Sequence, residues 1–177
     1  MTTISMMTIE EVTAAQVKAL IESHLIPLLQ NVVDDGASIG FIAPLSVAEA
    51  RDYWQSILPP LQAGHKVMLI AKSDDLLVGS VQLALEPRAN GRHRAEVQKL
   101  MVHTAARGQG VARRLMRAIE AAAHEHQRTL LVLDTVRGGV ADGLYARMGY
   151  TKAGIIPRYA LSSAGPLEDT VFYYREL

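Results

Sequence analysis

The chain has 177 residues with 18 basic and 18 acidic side chains, and it contains no cysteine. A formal net charge of zero argues against non-specific binding to nucleic acid or to an anionic membrane. The missing cysteines exclude disulfides, thiolate metal sites and a cysteine acyl-enzyme. The length predicts a single domain over residues 1–177, large enough to bury a core.

No stretch of the sequence is apolar for long enough to span a bilayer, and the N-terminus lacks the pattern of a signal peptide. We therefore expect no membrane partner and a cytoplasmic location, which suits a chain without cysteine. The sequence leaves the oligomeric state open, and a homodimer is one state to test.

The first half of the chain predicts one strand and two helical segments. Residues 2–10 are expected to form a strand, and residues 8–11 alternatively lead into a helix. Apolar positions recur at helical spacing over residues 11–33, where Pro27 is expected to break or restart the helix. Ser46 and Glu49 form a capping-box pattern before the next helix.

That helix is expected to run to about Leu58 and to end at the prolines 59–60. Two alternating apolar segments, 67–72 and 77–85, then predict a strand pair joined by a turn at 73–75. A loop is expected over 87–91.

Residues 96–123 organise the chain, because they read as a strand, a glycine-containing turn and a long helix. The buried face of this helix is predicted from apolar residues at helical spacing: Val111, Leu115, Met116, Ile119, Ala122 and Ala123. A near-continuous apolar strand follows at 129–133, as expected for a buried parallel strand. The remaining chain predicts a short helix from the glycines at 138–139 to Gly149, then strands at 151–159 and 170–176.

The strand-turn-helix order predicts an anion site. The first amides of a helix have no intrahelical partner, and the helix dipole is positive there. Gly108 and Gly110 allow a ligand to approach the backbone closely. Four arginines crowd the first turns of the helix, where they are either solvated helix formers or partners of a polyphosphate: Arg107, Arg113, Arg114 and Arg117.

Two general phosphate motifs fit this segment poorly. The Gly-x-x-x-x-Gly-Lys-Ser/Thr string of a P-loop does not occur. A dinucleotide fingerprint would use Gly108 and Gly110, with Asp134 as its distant acid, but Arg113 stands where that motif needs its third glycine. A nicotinamide-dependent oxidoreductase is therefore the weaker alternative.

Three segments resemble the motifs of the GNAT superfamily of N-acetyltransferases. Residues 107–112 are similar to its Arg/Gln-x-x-Gly-x-Gly/Ala turn, 95–102 to its fourth strand, and 144–150 to its Phe/Leu-Tyr-x-x-x-Gly-Phe/Tyr segment. Within the superfamily the chain is most similar to tabtoxin-resistance acetyltransferases. The similarity to that group includes residues 36–41, 94–102, 133–135 and 150–151.

The resemblance implies an α/β (α+β) GNAT fold, in which helices flank a mixed sheet of about six or seven strands. The fourth and fifth strands of that fold splay apart and hold acetyl-CoA as the co-substrate. The implied activity is direct acetyl transfer to the primary amine of a small molecule, with an amino-acid-like toxin such as tabtoxinine-β-lactam as the expected acceptor. A non-catalytic acyl-CoA-binding regulator is a further alternative.

The resemblance also implies the donor site. The pyrophosphate would lie on the amides of residues 108–113, and the pantetheine would pair like an added strand with residues 100–102. An amide near Met101 would stabilise the oxyanion. The predicted donor-site residues are Leu100, Met101, Val102, Arg107, Gly108, Gln109, Gly110, Val111, Ala112 and Arg113.

Two carboxylates are candidates for the base that deprotonates the amine. Glu96 matches the glutamate of the family's fourth strand, and its alternative role is a salt bridge to Arg94 or Lys99. Asp134 is expected to end the neighbouring strand, and its alternative role is a helix or loop cap. Strict alternation would place Glu96 on one face with residues 98 and 100, and residues 97, 99 and 101 on the other.

Tyr145 is the candidate acid for the departing thiolate, and its alternative role is a core aromatic with a backbone partner. The family often has an Asn seven residues earlier, where this chain has Gly138, so Thr135 or a water would have to substitute. No metal site is expected, because histidines two apart, as at 124 and 126, point to different helix faces. Residues 36–44 are either a connecting loop or, by the resemblance, a wall of the acceptor pocket.

Overall fold

The structure is a computed structural model that describes residues 7–74 and 76–177. These residues form one sheet of seven strands in the order β1-β2-β3-β4-β5-β7-β6. The strands are β1 (Met7–Glu11), β2 (Lys66–Ser73), β3 (Leu76–Leu85), β4 (Arg94–Val102), β5 (Leu130–Val136), β6 (Thr151–Leu161) and β7 (Leu167–Glu176). β4 and β5 run parallel, and the other neighbouring strands are antiparallel. The expected mixed sheet is confirmed.

Helices cover both faces of this sheet. They are α1 (Ala14–Leu20), α2 (Ile26–Asp34), α3 (Val47–Ser56), α4 (Leu58–Gln62), α5 (Val111–Glu125) and α6 (Val140–Arg147). Residues of α1, α2 and α3 form one apolar core around Trp54 and pack on Met68 and Ile70 of β2. Residues of α5 and α6 form a second core on the opposite face, with Val81 and Leu83 of β3.

The first helical segment is interrupted where the proline predicts it. A π-helical turn, Ile21–Leu25, separates α1 from α2, and Pro27 stands in the first turn of α2. The indole nitrogen of Trp54 donates to the Leu25 carbonyl oxygen at 3.0 Å and so ties α3 to the interruption. Of the strand predicted at 2–10, residues 7–10 lie in β1, and residues 2–6 lie outside the described part of the chain.

The capping box before α3 is confirmed, because Glu49 N donates to Ser46 Oγ and the Glu49 carboxylate accepts from Ser46 N. The predicted helix end is wrong. α3 ends at Ser56, and the prolines at 59–60 lie in α4, near its start, where a missing N–H costs no intrahelical hydrogen bond. The expected turn at 73–75 joins β2 to β3, with residue 75 outside the described ranges.

All six residues predicted for the buried face of α5 are buried. They pack against β3, where Gly79 gives the helix room to approach. A Cβ on Gly79 would lie 2.7 Å from the Met101 carbonyl oxygen and 3.3 Å from Val111 Cγ1. The strand after α5 is longer than predicted, because pairing with β7 continues to Val136. Asp134 is therefore inside β5, and its predicted place at the strand end is wrong.

Candidate functional site

β4 and β5 form a fork. Their pairing covers residues 94–96 of β4 and 130–132 of β5, with Glu96 opposite Val132 as the last pair. Beyond that point β4 continues to pair with β3, and β5 with β7. No described strand fills the gap that opens between them. The predicted splay is confirmed, and it leaves the inner edge of β4 available to an extended ligand.

A bulge re-aims β4 inside this fork. Gln82 pairs with Gln98 and Ser80 pairs with Met101, so two residues of β4 lie opposite one residue of β3. The bulge includes Lys99, whose φ is +50°. An extra residue on one strand bends that strand and increases its twist.

The bulge makes the predicted strict alternation wrong. Val97 packs in the core beneath α5, whereas Met101 packs in the opposite core with α1–α3. Leu100 lies against the α5 side. Lys99 faces the same side of the sheet as Glu96, since it interacts electrostatically with Glu96 and Asp134. The predicted donor-strand residues 100–102 directly follow this bend.

The turn after β4 has the geometry of an anion site. Gly108 and Gly110 have φ of +75° and +79°, and a Cβ on either would contact no described atom within 4 Å. Gly110 is the N-cap of α5 and makes no side-chain cap hydrogen bond. The amides of residues 108–113 have no acceptor within the described ranges. These amides surround the positive end of a 15-residue helix.

The side chains of this turn differ in their exposure and in their partners. Val111 is buried and offers only its amide, while Arg113, Arg114 and Arg117 are exposed. Arg107 forms an ion pair with Asp35 at the end of α2. Asn31 of α2 also holds the turn, because its Oδ1 accepts from Thr104 N at 2.9 Å and its Nδ2 donates to Thr104 Oγ1 at 3.0 Å. No sequence pattern indicates these contacts between α2 and the turn.

The two candidate bases lie on the same face near the apex of the fork. Glu96 is exposed, and its carboxylate makes no hydrogen bond or ion pair to any described residue. Its alternative partner Arg94 is paired with Glu86 at 3.0 Å. Asp134 caps no described helix or loop. Glu96 also borders an open surface groove of about 480 Å³ that includes Val132 and Phe172.

The carboxyl group of Asp134 is accessible from the cleft but partly enclosed. This burial raises its pKa above the usual range, and the negative charge of Glu96 raises the pKa further. The ammonium of Lys99 acts in the opposite direction. A carboxylate whose pKa is raised accepts a proton more readily at neutral pH.

Tyr145 lies on α6 with 5% of its surface exposed, and it packs on Tyr150 and Tyr173 at ring distances of 5.8 and 6.1 Å. Its hydroxyl has no hydrogen-bond partner in the described part of the chain. Burial raises the pKa of Tyr145, and the charge of Asp134 adds to that effect. The phenol is therefore neutral, and it lies close enough to Asp134 to be affected by the charge of that carboxylate. Asp142 fixes the start of α6 by accepting from Gly138 N at 2.7 Å.

Residues 36–44 are in contact with the fork as well as connecting α2 to α3. Lys99 Nζ donates to the Ile39 carbonyl oxygen, and Phe41 packs edge-on against Tyr53 of α3 with ring centroids 5.2 Å apart. Of the two interpretations of this segment, these contacts favour the pocket wall. No sequence pattern predicts this contact of Lys99 with residues 39–41, because the orientation of its side chain depends on the bulge.

Residues 64–152 match the family model of the acetyltransferase (GNAT) domain, which is half of the chain. The chain therefore belongs to the GNAT acetyltransferase family. The dinucleotide-binding alternative is wrong, because that fold needs a largely parallel sheet and the described strands contain a single parallel pair.

Solved structures have the same fold at low sequence identity. The ribosomal-protein-alanine N-acetyltransferase from Brucella melitensis has a TM-score of 0.75 and 21% identity, covering 96% of this chain and 99% of that one. A GCN5-related N-acetyltransferase from Kribbella flavida has a TM-score of 0.75 and 21% identity, covering 97% and 98%. The yncA protein of Salmonella typhimurium, solved with its cofactor acetyl-CoA, has a TM-score of 0.74 and 18% identity, covering 97% and 94%.

Two features are absent from the described residues. None of the helices within 7–74 and 76–177 is long and apolar enough to cross a membrane. No group of three or more His, Asp or Glu side chains in these ranges is placed to hold a metal ion.

The raised pKa of Asp134 predicts a pH-dependent stability difference. Folding disfavours the ionised form, so stability is lost as the pH rises through the folded-state pKa. We expect D134N to have a higher free energy of unfolding than the unaltered protein near neutral pH. The difference should shrink as the pH falls toward about 4, near the ordinary pKa of an unfolded aspartate. Urea unfolding across this range measures it.

The matched control is D52N, which changes an exposed aspartate on α3. It should show no comparable gain near neutral pH. Equal or lower stability of D134N at neutral pH would contradict the raised pKa.

Proposed function

We propose that the chain transfers the acetyl group of acetyl-CoA to the primary amine of a small molecule, by direct attack in a ternary complex. The observation that carries this proposal is the fork between β4 and β5, which opens beside the unpaired amides of residues 108–113. Acetyl-CoA needs both features, because it is an extended chain that ends in a pyrophosphate. The acetyl-CoA in the yncA structure, on the same fold, supports this choice.

In the proposed donor site, the pyrophosphate lies on the amides of residues 108–113 and at the positive end of α5. The pantetheine arm lies against residues 100–102, whose inner backbone edge faces the gap of the fork. An amide near Met101 then donates to the thioester carbonyl oxygen as negative charge develops on it. Arg113, exposed in the first turn, supplies a cation for the phosphates.

The acceptor amine reaches the fork from the face that carries Glu96 and Asp134. An amine is mostly protonated at neutral pH, so one carboxylate takes its proton, directly or through a water, before attack. The neutral nitrogen then attacks the carbonyl carbon. The two carboxylates influence each other electrostatically, and the raised pKa of Asp134 favours it for this step. Glu96 binds the protonated amine of the acceptor while Asp134 removes its proton.

Tyr145 completes the proton balance. When the tetrahedral intermediate collapses, the carbon–sulfur bond breaks and the thiolate takes a proton from the Tyr145 hydroxyl. The second proton that the attacking nitrogen must lose passes to solvent, from which the phenolate is reprotonated. That hydroxyl has no competing described partner, and burial keeps it protonated by raising the pKa. The chain has no cysteine to form an acyl-enzyme, which supports transfer without a cysteine-bound intermediate.

The finer identity of the acceptor rests on resemblance. We propose an amino-acid-like amine, with the toxin tabtoxinine-β-lactam as the first compound to assay, because the resemblance to tabtoxin-resistance enzymes includes segments of this face. The Brucella melitensis neighbour is a ribosomal-protein-alanine N-acetyltransferase, so peptide amines belong in the same assay. We propose the cytoplasm as the compartment, and sedimentation distinguishes a monomer from a homodimer.

The base assignment predicts the effect of a double variant. E96Q together with D134N should lower kcat/KM for amine acetylation by roughly 10²- to 10⁴-fold, the usual contribution of a general base. Thiol release from acetyl-CoA with a good amine measures it. The control E125Q with D52N alters exposed acids of α5 and α3 and should leave the rate unchanged. An unchanged rate in the first variant would sink the base assignment.

The acid assignment predicts a different kinetic pattern. Y145F should lower kcat, on the order of 10²-fold if the phenol protonates the thiolate, while the affinity for acetyl-CoA stays the same. Stability should change little, since the hydroxyl has no described partner to lose. Y159F on β6, where Tyr159 is exposed, is the control. Steady-state kinetics with binding measurements separates the two quantities, and a normal kcat removes Tyr145 from the mechanism.

A further inference from the structure

Two lysines on the acceptor face of the sheet have no acidic partner. Lys66 of β2 and Lys99 of β4 are half-buried, and neither forms an ion pair with a carboxylate in the described ranges. Burial lowers the pKa of both ammonium groups. Burial disfavours the charged form of each ammonium more than the nearby unpaired carboxylates favour it, so the free protein retains these cations at a cost in stability.

Lys99 is held in place mainly by neutral groups. Its Nζ donates to the Ile39 carbonyl oxygen and lies 5.4 Å from the ring centre of Phe41 and 5.5 Å from that of Tyr53. Gly40 allows the loop to approach, since a Cβ there would lie 3.2 Å from Nζ. An ammonium has three donors, and the carbonyl uses one. Two donors of Lys99 therefore remain for another ligand.

Lys66 is fixed in a similar way by two amides. Its Nζ donates to Gln82 Oε1 at 2.9 Å and to Gln98 Oε1 at 2.8 Å. Gln82 is oriented in turn by Tyr53, since its Nε2 donates to the tyrosine hydroxyl at 2.8 Å. One donor of Lys66 remains. This network keeps the side chain extended across the sheet face instead of turning out to solvent.

The lysines stand beside the two candidate bases. Lys66 interacts electrostatically with Lys99 and Glu96, and Lys99 interacts with Asp134 and Glu96. Two positive and two negative groups thus share one face of the fork without pairing within 4 Å. A simple monoamine has no anionic group that could bind the two ammonium groups. A molecule with both an amine and an anionic group would complement all four charges.

We propose that Lys99 and Lys66 form a subsite for a carboxylate of the acceptor, so that the acceptor is an amine with a carboxylate in the same molecule. This assignment rests on the proposed function and deepens it, because it names the side chains that select the acceptor class. The carboxylate lies on the three remaining ammonium donors while the amine faces Glu96 and Asp134. Lys99 and Lys66 are specificity-determining residues and take no part in proton transfer.

The direct experiment compares acceptors that differ in one group. Lysine, ornithine and β-alanine each have a carboxamide that presents the same amine without the negative charge. We expect kcat/KM for acetylation to be higher for each acid that is used than for its amide. K99M should lower kcat/KM for the acid by roughly 10- to 100-fold, the usual loss for a hydrogen bond to a charged group, and leave the amide unchanged.

Two further variants separate carboxylate binding from loop support. K99R keeps the charge and should retain the preference for acids. K18M removes an exposed lysine beside Glu22 and Leu58 and should leave kcat/KM unchanged for both acids and amides. If K99M lowers kcat/KM equally for acids and for amides, Lys99 only supports residues 39–41, and the proposal is overturned. K66M provides an independent test, with the same selective loss of acids expected.

Failure of this proposal is distinguishable from failure of the proposed function. If amides or monoamines are acetylated as efficiently as acids, or if no acid is acetylated, the carboxylate subsite is overturned. The proposed acetyltransferase function is unaffected by either result. No thiol release with any amine, in a protein that is folded, overturns both. Preference for a peptide amine without a nearby carboxylate also overturns the subsite.

Discussion

The separation of β4 from β5 is the constraint on which the rest of the molecule depends. A parallel pair that stays hydrogen-bonded would close the site, and here the pairing stops at Glu96 and Val132. Each strand remains stable beyond that point because it has a second neighbour, β3 or β7. The free edge of β4 is therefore held open by antiparallel pairing on its other side. The turn at 107–110 then places the start of α5 beside the open end of the same gap.

The bulge at Lys99 joins the two halves of the site. It bends β4 just before residues 100–102, the proposed contact of the pantetheine arm, and it turns the Lys99 side chain toward the face with Glu96 and Asp134. The same side chain reaches the carbonyl of Ile39, while Asn31 of α2 and Asp35, the residue directly after α2, hold the turn before α5. The helices over the acceptor face and the donor turn are thus mechanically connected through a few polar contacts.

Local patterns predicted what local physics decides. The buried face of α5, the capping box at Ser46 and the glycine turn all depend on residues close in sequence, and all are present. The family motifs similarly predicted the fork. The orientation of Lys99 was not predictable, because a bulge depends on the register against β3 and strict alternation assumes no bulge. The position of Asp134 inside β5 depends on pairing with β7, far along the chain.

The surroundings of Lys66 and Lys99, which form no ion pair with a described carboxylate, were also not predictable from local sequence patterns. Lys66 and Lys99 are ordinary polar residues in the sequence, and their meaning comes from what surrounds them after folding. Gln82, Gln98 and Tyr53 arrive from three separate elements to fix one ammonium. The catalytic roles of Glu96, Asp134 and Tyr145 stay predictions, although the fold brings all three to one end of the fork.

The central claim is that the first turn of α5 binds the phosphates of acetyl-CoA, and ligand-induced stabilisation tests it most directly. At about 100 times its Kd, acetyl-CoA should add about 2.7 kcal/mol to the free energy of unfolding, while NADH adds nothing. A112E places a carboxylate in that turn, where the helix dipole tolerates it, and should abolish the shift without loss of folding. A121E, exposed on the same helix, should keep the shift. An undiminished shift in A112E, or none in the unaltered protein, would contradict the claim.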